Sequence, residues 1–338
     1  MWMKKLRLLF LCFLQFSCSS QVQEKINGIS FVASREEVAQ EHVQEVLNIH
    51  ANHAAVMPFG FIREVDSPEI IFDTERQWFG ETKHGAKQYI NLLHKNGVKV
   101  MLKPQIWIWR GTFTGTLAMN SEDDWKALES SYEKFILNYA QLAHETNADI
   151  FCIGTELEQF VKNRPEFWKT LILKVKEIYK GKLTYAANWD EYTRTTFWEE
   201  LDYIGIDAYF PLCEEVTPTV AQCREGWQRH KEVIRALSKA KNKLVLFTEY
   251  GYRSTDKTAW KPWSADRHEN PVNLEAQVNA TKAIFEEFWG EDWFAGGYVW
   301  KWFIRHKEAG GGEDNRFTPQ NKPAQGVIAE FYEKHQSK

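Results

Sequence analysis

The chain has 338 residues, of which 43% are hydrophobic and 26% are charged, and it contains 15 tryptophans. This composition excludes a disordered polymer, because a disordered chain lacks the apolar residues that build a core. The 42 basic and 46 acidic residues give a formal charge of -4 and form no long basic block, so we expect no nucleic-acid partner. The length fits two ordinary domains or one large barrel.

Residues 1–18 have the layout of a secretory signal. A basic start precedes an apolar run at 8–16, which is too short to span a bilayer. The position of Cys18 after this run resembles the lipobox of bacterial lipoproteins, although Gln15 stands where those boxes usually carry Leu. An ordinary cleaved signal is the alternative. Both interpretations predict export. The lipobox also predicts a lipid anchor at Cys18 in the bacterial cell envelope, in the periplasm or at the cell surface, with residues 19–27 as a tether.

Three further cysteines lie beyond this signal. Cys152 stands in the apolar run 150–153, where a free cysteine usually acts as a small buried hydrophobic residue. Cys213 and Cys223 are ten positions apart in one predicted loop. In an oxidising compartment these two can form a local disulfide, and two free thiols are the alternative.

From residue 28 onward, apolar runs of strand type alternate with stretches of helical periodicity. The predicted strands are 28–33, 54–59, 98–106, 149–154, 183–187, 203–208, 244–248 and 296–300, and the predicted helices are 35–49, 84–95, 122–145, 165–179, 193–200, 219–240, 273–289 and 324–335. Continuous apolar strands are typical of parallel sheets covered on both faces. The alternation therefore predicts an α/β fold, a single (β/α)8 TIM barrel over residues 28–338. The alternative is an open doubly wound sheet, but no glycine-rich dinucleotide turn follows the first strand.

The polar residues that follow the strands are the most informative ones, because the active site of such a barrel forms at the carboxyl ends of its strands. Glu156 follows the fourth strand and Glu249 follows the seventh. Two such carboxyl groups are the minimum apparatus of glycoside hydrolysis. Aromatic rings at the same ends fit a sugar, since they stack on its C–H faces. The candidates for substrate binding are Lys103, Gln105, Trp107, Asn188, Trp189, Asp207, Tyr209, Trp300 and Trp302.

The sequence contains no motif for a metal or a cofactor. His50 and His53 are three residues apart, but no third ligand accompanies them. The G-x-S-x-G elbow of serine esterases and the P-loop of nucleotide hydrolases are both missing. We therefore predict no metal site and no cofactor.

Several motifs together resemble glycoside hydrolase family 113, within clan A of the glycoside hydrolases. They are IGTEL at the fourth strand, DAYFP at the sixth, FTEYGYRS at the seventh, YVWKW at the eighth and FTPQNKPA after it. The resemblance implies a TIM barrel that cleaves β-1,4-mannan with retention of configuration. It also implies that Glu156 is the general acid/base, that Glu249 is the nucleophile and that Tyr209 hydrogen-bonds the nucleophile. Trp300 or Trp302 would form the floor of the subsite for the cleaved sugar.

Three functions remain open at this point. The first is an endo-β-1,4-mannanase of the cell envelope that acts on mannan or mannooligosaccharides by double displacement. The second is another β-1,4-glycanase or an exo-acting glycosidase on the same barrel. The third is a glycan-binding surface lipoprotein without activity, against which the pair of glutamates argues. For the axial 2-hydroxyl of mannose, the candidate partners are Lys103, Gln105 and Asn188.

Overall fold

A closed barrel of eight parallel strands forms the centre of the structure, a computed structural model that describes residues 24–264 and 270–336. Its strands in chain order are β1 (Ile26–Phe31), β2 (His53–Val56), β3 (Phe59–Ile62), β4 (Ile71–Phe72), β5 (Lys99–Leu102), β6 (Gln105–Ile108), β7 (Ile150–Thr155), β8 (Lys182–Asn188), β9 (Tyr203–Asp207), β10 (Leu244–Tyr250) and β11 (Phe294–Trp302). The order around the barrel is β1, β2, β5, β7, β8, β9, β10 and β11, and all neighbours are parallel. The prediction of a TIM barrel is confirmed.

Helices surround the barrel and bury their apolar faces against it. They are α1 (Gln40–Asn48), α2 (Lys83–Lys95), α3 (Glu122–Thr146), α4 (Glu158–Asn163), α5 (Pro165–Ile178), α6 (Val220–Lys241), α7 (Leu274–Phe288) and α8 (Pro323–Lys334). The predicted helix at 193–200 is wrong, because this segment forms only a 3-10 turn at Trp198–Glu200. Thr193, Thr195 and Thr196 are β-branched, and such residues lower helix propensity.

Two of the predicted strands are each divided in two by a proline. Pro58 separates β2 from β3, and Pro104 separates β5 from β6. A proline has no N–H to donate to a strand ladder, so the chain leaves the barrel at each of these two prolines. Beyond the prolines, β3 pairs with both β4 and β6 in a small separate sheet, with the Gln105 N–H donating to the Pro58 carbonyl at 2.9 Å. This sheet lies at the carboxyl ends of the barrel strands.

The barrel interior contains a small apolar cluster that is distinct from the larger core between barrel and helices. Ala55, Met101, Cys152 and Ala186 belong to this inner cluster, as does the Tyr298 ring. Cys152 is fully buried, as predicted, and burial raises the pKa of its thiol to about 11.

The predicted signal at 1–18, with Cys18, lies outside the described residues, and so does the first part of the tether at 19–27. Within the described residues, no helix is both long enough and apolar enough to cross a membrane. Cys213 and Cys223 are free thiols in this structure. Their side chains are hydrogen-bonded to each other, which lowers the pKa of Cys213 to about 7. The disulfide between them stays a prediction.

Candidate active site

Glu249, at the end of β10, is held by three donors. Lys103 Nζ lies 2.5 Å from its Oε1, and Gln105 Nε2 donates to the same oxygen at 3.0 Å. The Tyr209 hydroxyl donates to Oε2 at 2.8 Å. Donors on both oxygens stabilise the negative charge of a carboxylate and fix its orientation. Glu249 is 6% exposed and therefore stands as an oriented carboxylate at the edge of the buried core.

Lys103 is completely buried and lies between two carboxylates. Its Nζ is 3.4 Å from both carboxylate oxygens of Asp207, in addition to its contact with Glu249. Burial alone would lower the pKa of Lys103, but the charges of Asp207 and Glu249 outweigh burial and raise it. Asp207 also accepts from the Thr248 hydroxyl at 2.7 Å. Its burial and the charge of Glu249 raise the pKa of Asp207 to about 7.

Glu156 directly follows β7 and has a different environment. No described residue donates a hydrogen bond to its carboxyl group, and the residue as a whole is partly exposed. Its backbone adopts the left-handed conformation, with φ of 50°. Burial is the main cause that raises the pKa of Glu156 well above its usual value, and the charges of Asp207 and Glu249 add to this effect. Lys103 acts in the opposite direction with a smaller effect.

The two carboxyl groups stand in different environments. Lys103, Gln105 and Tyr209 hold the carboxyl group of Glu249 in one orientation. Burial and neighbouring negative charges favour the protonated form of Glu156. A retaining glycosidase needs two carboxyl groups in different environments, since one group must donate a proton while the other attacks.

Asn188 and Trp189 stand at the end of β8, on the same rim. The Asn188 side-chain oxygen accepts from the Trp189 N–H at 2.9 Å, while no described residue accepts a hydrogen bond from its Nδ2. The Trp189 ring stacks on Trp263, with centroids 4.9 Å apart and planes inclined by 19°. Asn188 is partly exposed and therefore offers a donor on the rim, beside an aromatic surface.

Exposed aromatic side chains are concentrated in the loops at this end of the barrel. Those with the largest exposed fractions are Trp78, Trp107, Trp109, Phe113, Trp260 and Trp263. Trp300, at the end of β11, is half-buried, and the Lys301 ammonium lies 5.3 Å from the centre of its ring. A cavity of about 470 Å³ opens beside Trp78, between the loops that follow β1 and β11. Flat apolar surfaces that surround a polar centre suit a sugar chain.

Three predicted substrate contacts do not reach the cleft. Trp302 is fully buried and stacks on His306, with centroids 5.4 Å apart. The strand pairing between β1 and β11 shifts in register before Trp302, so the alternation of faces along β11 does not continue to this residue. Lys103 and Asp207 are buried beneath Glu249. They contact Glu249 and each other instead of open space.

Sequence reasoning missed the buried pair of Tyr185 and Glu191. The Tyr185 hydroxyl donates to Glu191 Oε1 at 2.7 Å and accepts from the Leu157 N–H at 2.7 Å. Leu157 is the residue after Glu156. Nothing in the sequence distinguishes Glu191 from the adjacent Asp190, which is exposed, because burial depends on loops that are distant in the chain.

The described residues contain no cluster of three or more histidine, cysteine, aspartate or glutamate side chains that could hold a metal ion. His53 is instead buried near the other end of the barrel. Its ring contacts the Asn52 side chain at 2.6 Å, and burial lowers the pKa of His53 to about 4.

Comparison with known proteins identifies the family of the chain. The model of Glycoside Hydrolase Family 113 matches residues 32–322. Two solved structures align with nearly their whole length. The first is the GH113 β-mannanase AaManA from Alicyclobacillus acidocaldarius, in complex with ManMIm, which is 24% identical to this chain. The alignment covers 92% of this chain and 98% of AaManA, with a TM-score of 0.80. The second is a GH113 β-1,4-mannanase in a complex, which is 23% identical to this chain. The alignment covers 92% of this chain and 99% of that mannanase, also with a TM-score of 0.80.

A more distant likeness extends only to the fold. The β-glucuronidase of Faecalibacterium prausnitzii is 14% identical, and the aligned part covers 92% of this chain but 49% of the β-glucuronidase, with a TM-score of 0.62. The search of curated proteins gives no match. At these identities, the solved structures establish a shared barrel, and the family match rests on the sequence itself.

Proposed function

The chain belongs to glycoside hydrolase family 113 and is a glycoside hydrolase, and we propose that it is a retaining endo-β-1,4-mannanase. The similar solved structures are described as β-mannanases, which supports mannan as the substrate. The observation that carries the mechanism is the contrast between Glu249 with three hydrogen-bond donors and Glu156 with none among the described residues.

In the first chemical step, a Glu249 carboxylate oxygen forms a bond to the anomeric carbon while the glycosidic C–O bond breaks. Glu156 gives its proton to the departing oxygen, so the leaving sugar departs as an alcohol. Glu156 is then ionised and serves as the base. In the second step, a water gives its proton to Glu156 and attacks the anomeric carbon, and the bond to Glu249 breaks. Two inversions give net retention, and both carboxyl groups return to their starting states.

Lys103, Gln105 and Tyr209 assist this sequence by holding Glu249 in place and stabilising its charge. In the transition state the sugar ring develops positive, oxocarbenium-like charge opposite the Glu249 carboxylate, and the carboxylate regains its full negative charge when the intermediate is hydrolysed. A carboxylate that is already fixed in place needs no reorganisation when the intermediate forms or when it is hydrolysed. We assign the 2-hydroxyl contact to Asn188, because Lys103 and Gln105 already donate to Glu249.

The first experiment measures hydrolysis of linear mannan, galactomannan, cellulose and xylan by the protein that starts at Ser19. Glu156→Ala and Glu249→Ala should each lose mannan hydrolysis. Glu133→Ala is the matched control, because Glu133 pairs with Lys174 on the outer helices at 2.7 Å, away from the cleft. Release of oligosaccharides supports endo action. Release of single sugars only, or hydrolysis of another glycan, would replace the proposal by the alternative glycosidase.

Azide distinguishes the two glutamates by the product that each variant forms. With an activated aryl β-mannoside, Glu249→Ala should be rescued by azide and give the α-mannosyl azide, since azide takes the place of the lost nucleophile. Glu156→Ala should give the β-mannosyl azide, because azide attacks the covalent intermediate that lacks its base. The reverse pattern would exchange the two roles. Binding of mannan without any hydrolysis would favour the non-catalytic glycan-binding protein.

We also propose that the protein is exported and anchored by lipid at Cys18. The support is the sequence pattern at 1–18 alone. Cys18→Ala in the full chain should move the protein from the membrane fraction to the soluble fraction, and labelled fatty acid should be incorporated into the wild type alone. A soluble and cleaved wild-type protein would favour the ordinary secretory signal.

A further inference from the structure

A third glutamate lies near the two catalytic ones, and the mechanism above gives it no role. Glu191 belongs to the loop after β8 and is 2% exposed. Its carboxyl group accepts from the Tyr185 hydroxyl at 2.7 Å and from the Asn188 N–H at 3.1 Å. A buried carboxyl group costs folding free energy, and an apolar residue of similar size would avoid this cost. The presence of Glu191 therefore requires an explanation.

Tyr185 connects Glu191 to the backbone beside Glu156. The Tyr185 hydroxyl donates its proton to Glu191 and accepts from the Leu157 N–H at 2.7 Å. Because a hydroxyl has one proton, its donation to Glu191 directs a lone pair towards Leu157. The buried carboxylate thus determines how Tyr185 holds the residue that follows the acid/base.

The backbone of Glu156 needs such support. A left-handed conformation costs a residue with a side chain about 1 kcal/mol or more, and it persists only where its surroundings impose it. Glu156 has φ of 50°. Its own N–H donates to the Ala186 carbonyl at 2.8 Å, and the next N–H donates to Tyr185. Both acceptors belong to β8, so this strand holds the acid/base residue on either side.

We propose that Glu191 is a positioning residue for Glu156, which fixes the acid/base through Tyr185 and adds a buried negative charge to its surroundings. This inference rests on the proposed function, since the acid/base role of Glu156 is part of it. It extends that function to a residue that contacts neither the substrate nor the reacting atoms.

The charged groups around this pair come from β9, β10, α4 and the segments that follow β5 and β8. Those that act on Glu156 are Asp207 of β9, Glu249 of β10, Lys103 directly after β5, and Glu191. Those that act on Glu191 include Glu158 and Asp207, and Glu158 itself is paired with Arg194 at 2.5 Å. Burial raises the pKa of Glu191 to about 7. The two carboxyl groups are therefore expected to titrate as a coupled pair, in which removal of one charge lets the other group ionise at lower pH.

Titration of Glu156 in Glu191→Gln tests the charge directly. Carboxyl carbons of glutamate labelled with ¹³C report each pKa by NMR, and Glu156→Gln identifies the Glu156 resonance. We expect the pKa of Glu156 to fall by about 0.5 to 1 unit in Glu191→Gln. Glu287→Gln is the matched control, because Glu287 is 4% exposed but lies on α7, paired with Arg224 and Lys231. An unchanged Glu156 titration in Glu191→Gln would overturn the proposal.

Kinetics with two leaving groups tests the positioning. Mannotetraose needs a proton on its leaving oxygen, whereas a 2,4-dinitrophenyl β-mannoside does not. Glu191→Gln should lower kcat/KM on mannotetraose roughly 10-fold and leave the dinitrophenyl substrate within about twofold. The alkaline limb of the mannotetraose profile should move to lower pH. Equal losses on both substrates would mean general damage to the fold and would contradict a positioning role.

Tyr185→Phe provides a second variant that removes no charge. It should reproduce the dependence on the leaving group, because the Leu157 N–H loses its acceptor. Tyr192→Phe is its control, since Tyr192 is 4% exposed in the same loop. If Glu191→Gln does not fold, the dependence of Tyr185→Phe kinetics on the leaving group tests the positioning role instead. If wild-type protein cleaves no mannoside, the proposed function fails, while the NMR titration still decides whether Glu191 acts on Glu156.

Discussion

Replacement of Lys103 by methionine removes the only cation that the described residues place between Glu249 and Asp207. Lys103 Nζ lies 2.5 Å from Glu249 and 3.4 Å from each carboxylate oxygen of Asp207, and the lysine is fully buried. Methionine has a similar length and no charge. Removal of one partner from a buried ion pair costs about 3 to 5 kcal/mol, because the remaining charge is left without compensation.

This cost can be converted into a melting temperature. An entropy of unfolding of about 2.1 cal/mol/K per residue gives about 0.7 kcal/mol/K for the 338 residues of the chain. Lys103→Met should therefore lower Tm by about 4 to 7 °C. Lys99→Met is the control in the strand that directly precedes Lys103, since Lys99 forms a surface pair with Glu24 at 3.1 Å. An exposed pair contributes less than about 1 kcal/mol, so this control should lower Tm by at most about 1.5 °C.

The same change should alter the pH dependence of catalysis. Two adjacent buried carboxylates without their cation take up a proton more readily, and a protonated nucleophile cannot attack. The acidic limb of kcat/KM on mannotetraose should move to higher pH by about 1 unit or more. Calorimetry and a kcat/KM profile from pH 4 to 9 measure both effects. A Lys103→Met protein with the Tm and acidic limb of Lys99→Met would refute the role assigned to Lys103.

Three further predictions address single contacts. Tyr209→Phe removes one donor from Glu249 and should lower kcat by roughly 10-fold to 100-fold with little change in KM, which steady-state kinetics checks. Trp107→Ala removes a 49% exposed ring and should raise KM for mannan about fivefold at unchanged Tm, whereas Leu173→Ala on α5 should change neither. Burial raises the pKa of Glu191 from 4.5 to about 7, so the folded state binds this proton more tightly than the unfolded state. The bound proton of Glu191 therefore stabilises the folded state by about 3 kcal/mol below pH 4.5, and this stabilisation is lost as the pH rises from 4.5 through 7. Relative to wild type, Glu191→Gln should gain stability from pH 5 to 7.5. The same pH dependence of the free energy of unfolding in the two proteins would contradict this.

The sequence by itself determined the barrel and the two glutamates at its rim. Hydrophobic runs alternate with helical periodicity along the chain, and parallel strands of a closed barrel all end on one face. Glu156 and Glu249 therefore had to share a rim once their strands were recognised. The two strand divisions were also present in the sequence, because Pro58 and Pro104 interrupt the ladders.

Only the tertiary structure decided which polar residues face the cleft. The register shift between β1 and β11 buries Trp302, although strand alternation predicted that it would share a face with Trp300. Lys103 likewise follows a strand, as expected of a substrate contact, yet it is buried between two carboxylates. Alternation along one strand cannot reveal such outcomes, because they depend on neighbours that are distant in the chain.

The surroundings of the two glutamates were decided by tertiary structure for the same reason. Glu249 meets donors from Lys103, Gln105 and Tyr209, which come from other strands or the loops after them. Glu156 meets burial and the negative charges of its neighbours instead. The free energy of a charge depends on its distances to other charges and on its exclusion from water. Chain folding sets both quantities, so two glutamates that look equivalent in sequence acquire different environments.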